Sequence, residues 1–81
     1  MTISAQIAVY PLRQERLTPA VDAVRTALTA KGLAPQIGPM STMVTGDAAT
    51  VFRALEEAFV QAGALGHVVM TITVSNACPA G

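Results

Sequence analysis

The chain has 81 residues, of which 52% are hydrophobic and only 12% are charged. This length predicts one domain, residues 1–81, with a small core near the lower limit for folding alone. The five basic and five acidic side chains are scattered along the chain. Nucleic-acid binding normally leaves a basic stripe, so that class of partner is excluded. No stretch approaches the roughly 20 apolar residues that a membrane span needs.

The N-terminal segment and the cysteine content indicate the compartment. Residues 1–6 have neither a basic n-region nor a long apolar run, so we predict no signal peptide. The single cysteine, Cys78, allows no internal disulfide, which makes the cytoplasm the default location. The high apolar content with few charges also suggests that another subunit covers part of the surface.

The first half of the chain predicts a strand, a helix and a short strand. Residues 3–10 alternate between apolar and polar side chains, as in a strand with one face on a core. Thr18 followed by Pro19 predicts a helix start with Thr18 as its N-cap, and Gly32 is a natural end. Residues 33–37 contain a proline, which limits them to an edge strand or irregular chain.

The second half repeats this plan after the turn at Gly38-Pro39. Residues 40–45 predict a strand, and Asp47 is well placed as the N-cap of a second helix. Residues 67–75 alternate again and predict the last strand. The apolar stripe expected on the second helix consists of Val51, Phe52, Leu55, Phe59 and Ala62.

The resulting β-α-β-β-α-β order predicts the fold. Right-handed crossovers and interleaved halves give a ferredoxin-like α+β sandwich, with two helices on one face of an antiparallel four-stranded sheet ordered 4-1-3-2. The strand that contains the proline then lies at an edge, where proline is tolerated. The strands at residues 3–10 and 40–45 become the two central ones.

Two helices cover only one side of such a sheet, so the two sets of alternating side chains meet different surroundings. Under the helices we expect Ile3, Ile7, Val9, Thr42, Val44, Val68, Met70, Ile72 and Val74. The opposite set is Ser4, Gln6, Ala8, Tyr10, Ser41, Met43, Thr45, Val69, Thr71, Thr73 and Ser75. This second set is neutral apart from any charge on His67 at its rim, whereas a solvated face usually carries Lys and Glu.

Two interpretations of this neutral face remain open. In the first, it packs against another copy of itself, and its hydroxyls pair across strands or bind water. In the second, the face or its rim binds a small neutral or weakly cationic molecule, with Tyr10 and Met43 as apolar walls. The two are compatible, because a sheet-to-sheet dimer can enclose pockets.

Catalytic and metal-binding patterns are missing from the sequence. His67 and Cys78 are the only residues of their types, and Cys78 has no neighbouring base or cation to activate it. There is no CxxC or HxxxH spacing and no glycine-rich phosphate loop. We therefore predict no catalytic residue, no metal and no cofactor, and an enzyme that uses His67 and Cys78 ranks last.

Three segments carry a family resemblance over essentially the whole chain: residues 3–7 with Tyr10-Pro11-Leu12, then Gly38-Pro39-Met40-Ser41-Thr42, and Val74-Ser75-Asn76-Ala77-Cys78. They resemble the small thiamine-binding, YkoF-like proteins. The resemblance implies a ferredoxin-like fold, sheet-mediated dimers that pair into tetramers, and binding of thiamine or its hydroxymethylpyrimidine moiety. Some members carry two such domains in one chain. With one domain, this chain would need an oligomer to supply the second.

The side chains are compatible with that ligand. An aminopyrimidine alternates donors and acceptors, which the amides of Gln6 and Asn76 and the hydroxyls of Ser41 and Thr42 match. Met43 and Tyr10 offer apolar contact for the ring, and Tyr10 also suits the cationic thiazolium. The predicted ligand-binding residues are therefore Gln6, Tyr10, Ser41, Thr42, Met43 and Asn76. The predicted partners are a small-molecule ligand and further copies of the chain in a homodimer or homotetramer.

Overall fold

Four antiparallel strands form one sheet with two helices. The computed structural model of the protein describes residues 1–13 and 16–77, so Cys78 lies outside the described residues. The elements are β1 (Thr2–Pro11), α1 (Thr18–Ala30), β2 (Gln36–Ile37), β3 (Thr42–Asp47), α2 (Ala48–Gly63) and β4 (Val68–Ser75). The sheet order β2-β3-β1-β4 is the predicted 4-1-3-2 order read from the other edge, which confirms the ferredoxin-like fold.

The central strand β1 separates the core from the open side of the sheet. Ile3, Ala5 and Ile7 are buried under the helices, while Gln6 and Tyr10 between and beyond them are exposed. On β3 the same division buries Thr42 and Val44. The prediction of which side chains face the helices is therefore confirmed for both central strands.

The two helices contact each other, and both bury alanines. Ala20 and Ala27 of α1 and Ala54 and Ala58 of α2 are fully or almost fully buried, and such small side chains allow a close approach. Neither helix of the described ranges is long and apolar enough to cross a membrane.

The predicted apolar stripe of α2 was wrong at its two aromatic positions. Phe52 and Phe59 are 55% and 48% exposed. The buried residues of α2 instead follow the line Val51, Ala54, Leu55, Ala58 and Ala62. With about 100° of rotation per residue, positions 52 and 59 fall on the flank of this line.

The prediction for β4 also needs correction. Ile72 and Val74 pair with Ile7 and Ala5, so they belong to the helix side as expected. They are nevertheless 41% and 38% exposed. The reason is that β4 is an edge strand, and the helices do not extend over its outer side.

The ends of the helices differ from each other. Helix α1 begins at Thr18, its N-cap is Leu17, and no side chain caps it, so the prediction of Thr18 as the N-cap was wrong. Gly32 has a φ of 79° just beyond the end of α1, as a helix-ending glycine should. At α2 the prediction is confirmed, since the Asp47 carboxylate accepts a hydrogen bond of 3.2 Å from the Ala49 N–H.

Strand β3 begins later than predicted because a turn occupies its expected start. The Gly38 N–H donates to the Ser41 carbonyl oxygen at 2.8 Å. Met40 and Ser41 therefore belong to the turn between β2 and β3, and Thr42 is the first residue of β3. This places the Ser41 side chain at the rim of the open face.

A substitution at Gly46 tests how closely β3 packs against Leu33, which follows α1. A Cβ atom at Gly46 would lie 2.7 Å from Leu33 Cδ2 and 3.4 Å from Val51 Cγ2. We expect Gly46→Val to lower the free energy of unfolding by about 1–3 kcal/mol through overpacking. The matched control is Gly63→Val, because nothing lies within 4 Å of a Cβ atom at that position. The difference in helix propensity between Gly and Val should change the free energy of unfolding of this control by no more than about 0.5 kcal/mol. Equal losses for both variants in urea denaturation would contradict this packing.

Candidate ligand-binding site

The side chains on the open face align in rows across the strands. Going along β1, the first row is Thr45-Ser4-Ser75, the second is Gln36-Met43-Gln6-Thr73, the third is Ala8-Thr71 and the fourth is Tyr10-Val69. Every residue in these four rows is uncharged. The neutral surface expected from the sequence is therefore present from Ser4 to Tyr10 along β1.

Side-chain hydrogen bonds between described residues cross this surface. Ser4 Oγ and Thr45 Oγ1 are 3.2 Å apart, and Gln6 Nε2 donates to Ser41 Oγ at 3.1 Å. The second bond uses one amide proton of Gln6. It leaves the other amide proton, the amide oxygen and the Ser41 hydroxyl proton available, so this pair still offers both donors and an acceptor.

Three neighbouring cavities adjoin the Gln6 side chain or the Ser41 turn. The Met43 cavity has a volume of about 420 Å³ and is lined by Ser4, Gln6, Ala34, Gln36, Met43, Val44, Thr45, Thr73 and Ser75. The Tyr10 cavity has about 260 Å³ and is lined by Gln6, Ala8, Tyr10, Met40, Ser41, Thr71 and Thr73. The rim pocket has about 120 Å³ and is lined by Ile7, Ala8, Val9, Tyr10, Leu17, Val21 and residues 37–42.

The Tyr10 cavity and the rim pocket share one boundary. Tyr10, Met40 and Ser41 line both of them. The first cavity opens on the uncharged face beside the Gln6 amide, and the second is an apolar slot between the start of α1 and the turn before β3. The two cavities therefore adjoin each other at these residues.

Four of the six residues predicted from the sequence meet at this boundary. Gln6 and Tyr10 line the Tyr10 cavity, Thr42 lines the rim pocket, and Ser41 lines both. Met43 is in the adjoining Met43 cavity. All five lie on or beside the two central strands.

The structure does not bring Asn76 to the other five residues. It follows Ser75, which pairs with Ser4 at the end of the sheet opposite to Tyr10. A local hydrogen bond of 3.0 Å from the Ala77 N–H to Ser75 Oγ spans Asn76. Its position fits the end of the last strand and none of the three cavities.

Thr42 has an unusual environment for a hydroxyl group. The residue is only 5% exposed, and its side chain has no hydrogen-bond partner among the described residues. Every fully buried side-chain polar atom in the described ranges does have a partner. The Thr42 hydroxyl must therefore retain some access to open space, and the cavity that Thr42 lines is the rim pocket.

Several lining residues were not among those predicted from the sequence. Leu17, Ile37 and Met40 surround the rim pocket and are about half or more exposed. Leu17 could have been identified from the sequence, because it is an apolar residue directly after the polar loop of residues 13–16. Met40 was misread as a strand residue, and Ile37 lies in an edge strand too short to show a pattern.

The sequence profile of the YKOF-related family matches residues 2–81. No curated protein matches the chain significantly.

Solved structures support the fold. A Streptococcus pneumoniae protein is similar with a TM-score of 0.87 and 23% identity, over 98% of this chain and 90% of that one. A Thermotoga maritima protein assigned provisionally to thiamine biosynthesis or salvage has a TM-score of 0.81 and 18% identity, over 93% and 83%. A hypothetical protein of Methanocaldococcus jannascii has a TM-score of 0.85 and 17% identity, over 99% and 84%.

Replacing Thr42 by Val tests whether its hydroxyl is unpaired. We expect Thr42→Val to raise the free energy of unfolding by about 0.5–1 kcal/mol, because it removes a largely buried hydroxyl without a partner. Thr45→Val is the matched control, since it removes a hydroxyl bonded to Ser4 and should give no gain. Thermal denaturation of both variants measures the difference. A destabilised Thr42→Val protein would mean that the hydroxyl has a partner.

Proposed function

Because this chain belongs to the YKOF-related family, we propose that it binds thiamine or its hydroxymethylpyrimidine moiety without transforming it. The protein then acts as a cytoplasmic carrier or reservoir. The observation that carries the proposal is the Gln6–Ser41 hydrogen bond beside Tyr10, on the part of the open face between Ser4 and Tyr10 that carries no charge. The provisional thiamine assignment of the T. maritima protein of the same fold supports this ligand class.

The aminopyrimidine ring fits the chemistry of the Tyr10 cavity. Its amino group is a donor and its ring nitrogens are acceptors. The Gln6 amide offers an acceptor and a donor, and the Ser41 hydroxyl adds another of each. The Met40 side chain and the Ala8 methyl group supply apolar surface in the same cavity. A few convergent polar groups within an apolar lining are typical of small-molecule sites.

The thiazolium ring of thiamine is cationic, and the site has a place for it. Tyr10 is 48% exposed and lines both the Tyr10 cavity and the rim pocket. A cation over such an exposed aromatic ring gains about 0.5–1 kcal/mol. A pyrimidine beside Gln6 with the thiazolium over Tyr10 would use the shared boundary of the two cavities.

Calorimetric titration with thiamine and with hydroxymethylpyrimidine tests the proposal. We expect saturable heat and a rise in melting temperature with at least one of them. Ser41→Ala should weaken binding about three- to tenfold, which corresponds to one hydrogen bond. Thr29→Ala removes a hydroxyl from an exposed position on α1 and should bind as the unchanged protein does. Absence of heat and of any melting shift at millimolar ligand would refute the proposal.

A second candidate is an assembly module whose open face only pairs subunits into a homodimer or homotetramer. The observation in its favour is the exposure of Met43 and Val69 on the uncharged face. This pairing is compatible with ligand binding, but as a complete explanation it predicts a stable oligomer that is indifferent to thiamine.

A charge on the open face distinguishes a covered face from a free one. If a second copy covers it, Met43→Lys should weaken association at least about a hundredfold, because a buried unpaired charge costs several kcal/mol. Thr29→Lys, on the exposed side of α1, should leave association unchanged. Light scattering at micromolar concentration measures the mass. A protein that is already monomeric before substitution would exclude this pairing.

A further inference from the structure

The Met43 cavity lies where strands β2 and β3 part. Strand β2 has only two residues, and its pairing with β3 ends at Gln36 and Met43. Strand β3 continues to Asp47 with a neighbouring strand only on the β1 side. In the same register Ala34 would lie opposite Thr45, but no backbone hydrogen bond joins these two described residues. Both instead line the cavity, which has a volume of about 420 Å³.

Two hydrogen bonds at the ends of β3 show which way the Thr45 backbone points. On the β1 side, the Ala48 N–H donates to the Met1 carbonyl oxygen at 2.8 Å. On the β2 side, the Gly38 N–H donates to the Ser41 carbonyl oxygen at 2.8 Å. Successive residues of a strand direct their backbone groups to opposite neighbours. The even-numbered residues of β3 therefore face β1, and Thr45 directs its N–H and its C=O to the open edge.

The open edge thus presents a donor and an acceptor side by side. The Thr45 N–H and C=O have no hydrogen-bond partner among the described residues, whereas its hydroxyl lies 3.2 Å from Ser4 Oγ. The two backbone groups of one strand residue point in the same direction, so a single small molecule can contact both. Val44 also lines the cavity although its side chain belongs to the buried core, so the cavity reaches the backbone of this edge.

The size and lining of the cavity restrict the kind of ligand. Its volume of about 420 Å³ falls within the range of roughly 300–1,000 Å³ that is typical of small-molecule sites. The lining consists of hydroxyl, amide and apolar residues without any charge, so an ion would lose its hydration without a countercharge. Asp47, the next residue that faces this edge, is already the N-cap of α2. One pair of backbone groups suits a small neutral molecule better than a peptide strand.

From this geometry we infer that the Met43 cavity binds an uncharged cyclic amide, a lactam, at the open edge of β3. The lactam N–H donates to the Thr45 C=O, and the lactam C=O accepts from the Thr45 N–H, as the residue of an added strand would. The Met43 side chain and the Ala34 methyl group offer apolar contact to the ring. An aminopyrimidine would bring a second amino proton that this pair of groups does not use. The site goes beyond the proposed function and does not depend on thiamine binding.

An NMR titration with two related compounds tests the inference. 2-Pyridone is a lactam, and N-methyl-2-pyridone lacks its N–H. We expect 2-pyridone to bind the unchanged protein with a Kd of about 1–10 mM, as expected for so small a ligand, and to shift the amide signals of Ala34, Gln36 and Thr45. The methylated compound should bind at least about tenfold more weakly, because it cannot make the paired hydrogen bonds. Equal binding of both compounds, or no shifts with 2-pyridone, would refute the site.

Substitutions at Thr45 separate its backbone from its side chain. Thr45→Pro removes the N–H that faces the open edge, where proline is tolerated because the pairing with β1 does not use this group. It should reduce the preference for 2-pyridone over the methylated compound to within about threefold. Thr45→Ala keeps the N–H and should keep the preference of the unchanged protein. A folded Thr45→Pro protein with the full preference would contradict the inference.

A variant that leaves β3 intact keeps the test valid if Thr45→Pro does not fold. Ala34→Leu narrows the cavity and should weaken 2-pyridone binding about tenfold. Ala30→Leu makes the same change at an exposed position at the end of α1 and is the matched control, which should bind as the unchanged protein does. Equal affinities of the Ala34→Leu and Ala30→Leu proteins would refute the site.

The outcomes separate this site from the proposed function. Lactam binding without thiamine binding supports the site and refutes the proposed function, and thiamine binding without lactam binding does the reverse. Competition with hydroxymethylpyrimidine tests the ligand class. If this compound displaces 2-pyridone and shifts the Thr45 signal at a lower concentration, the assignment to lactams is wrong.

Discussion

The alternation of side chains along β1 is the constraint on which the rest of the structure depends. As the strand with two long neighbours, β1 places Ile3, Ala5 and Ile7 under the helices and leaves Gln6 and Tyr10 on the other side. A slip of one residue would exchange these two sets. The hydrophobic burial that holds the helices on the sheet therefore also decides which polar groups line the open face.

The candidate site forms where this regular pattern ends. The pairing between β1 and β3 ends at Ile7 and Thr42. The turn between β2 and β3 lies just beyond this pair, and the hydrogen bond from Gly38 to Ser41 holds Ser41 at the rim of the open face. Helix α1 starts at the same end of the molecule. Side chains from a strand, a turn and a helix start therefore surround one boundary, which supplies donors, acceptors and apolar contacts within a small volume.

The sequence predicted the element order, the sheet order and the faces of the central strands, because periodicity reports directly on burial there. It did not predict the exposure of Phe52, which falls on the flank of the buried line of α2. It also did not predict the exposure of Ile72, which depends on how far the helices extend over the edge strand β4. For the site, residue chemistry pointed to Gln6, Tyr10, Ser41 and Thr42. It did not reveal that Leu17 lines the rim pocket or that Asn76 lies away from the three cavities, since both depend on how separate elements meet in three dimensions.

An NMR titration of the 8.3 kDa chain with thiamine tests the central claim most directly, because each backbone amide reports its own surroundings. The account predicts shifts concentrated at Gln6, Tyr10, Met40, Ser41 and Thr42, with Asn76 and the exposed side of α1 unchanged. Shifts concentrated around Asn76 or on the helix layer, or no shifts at saturating ligand, would contradict it.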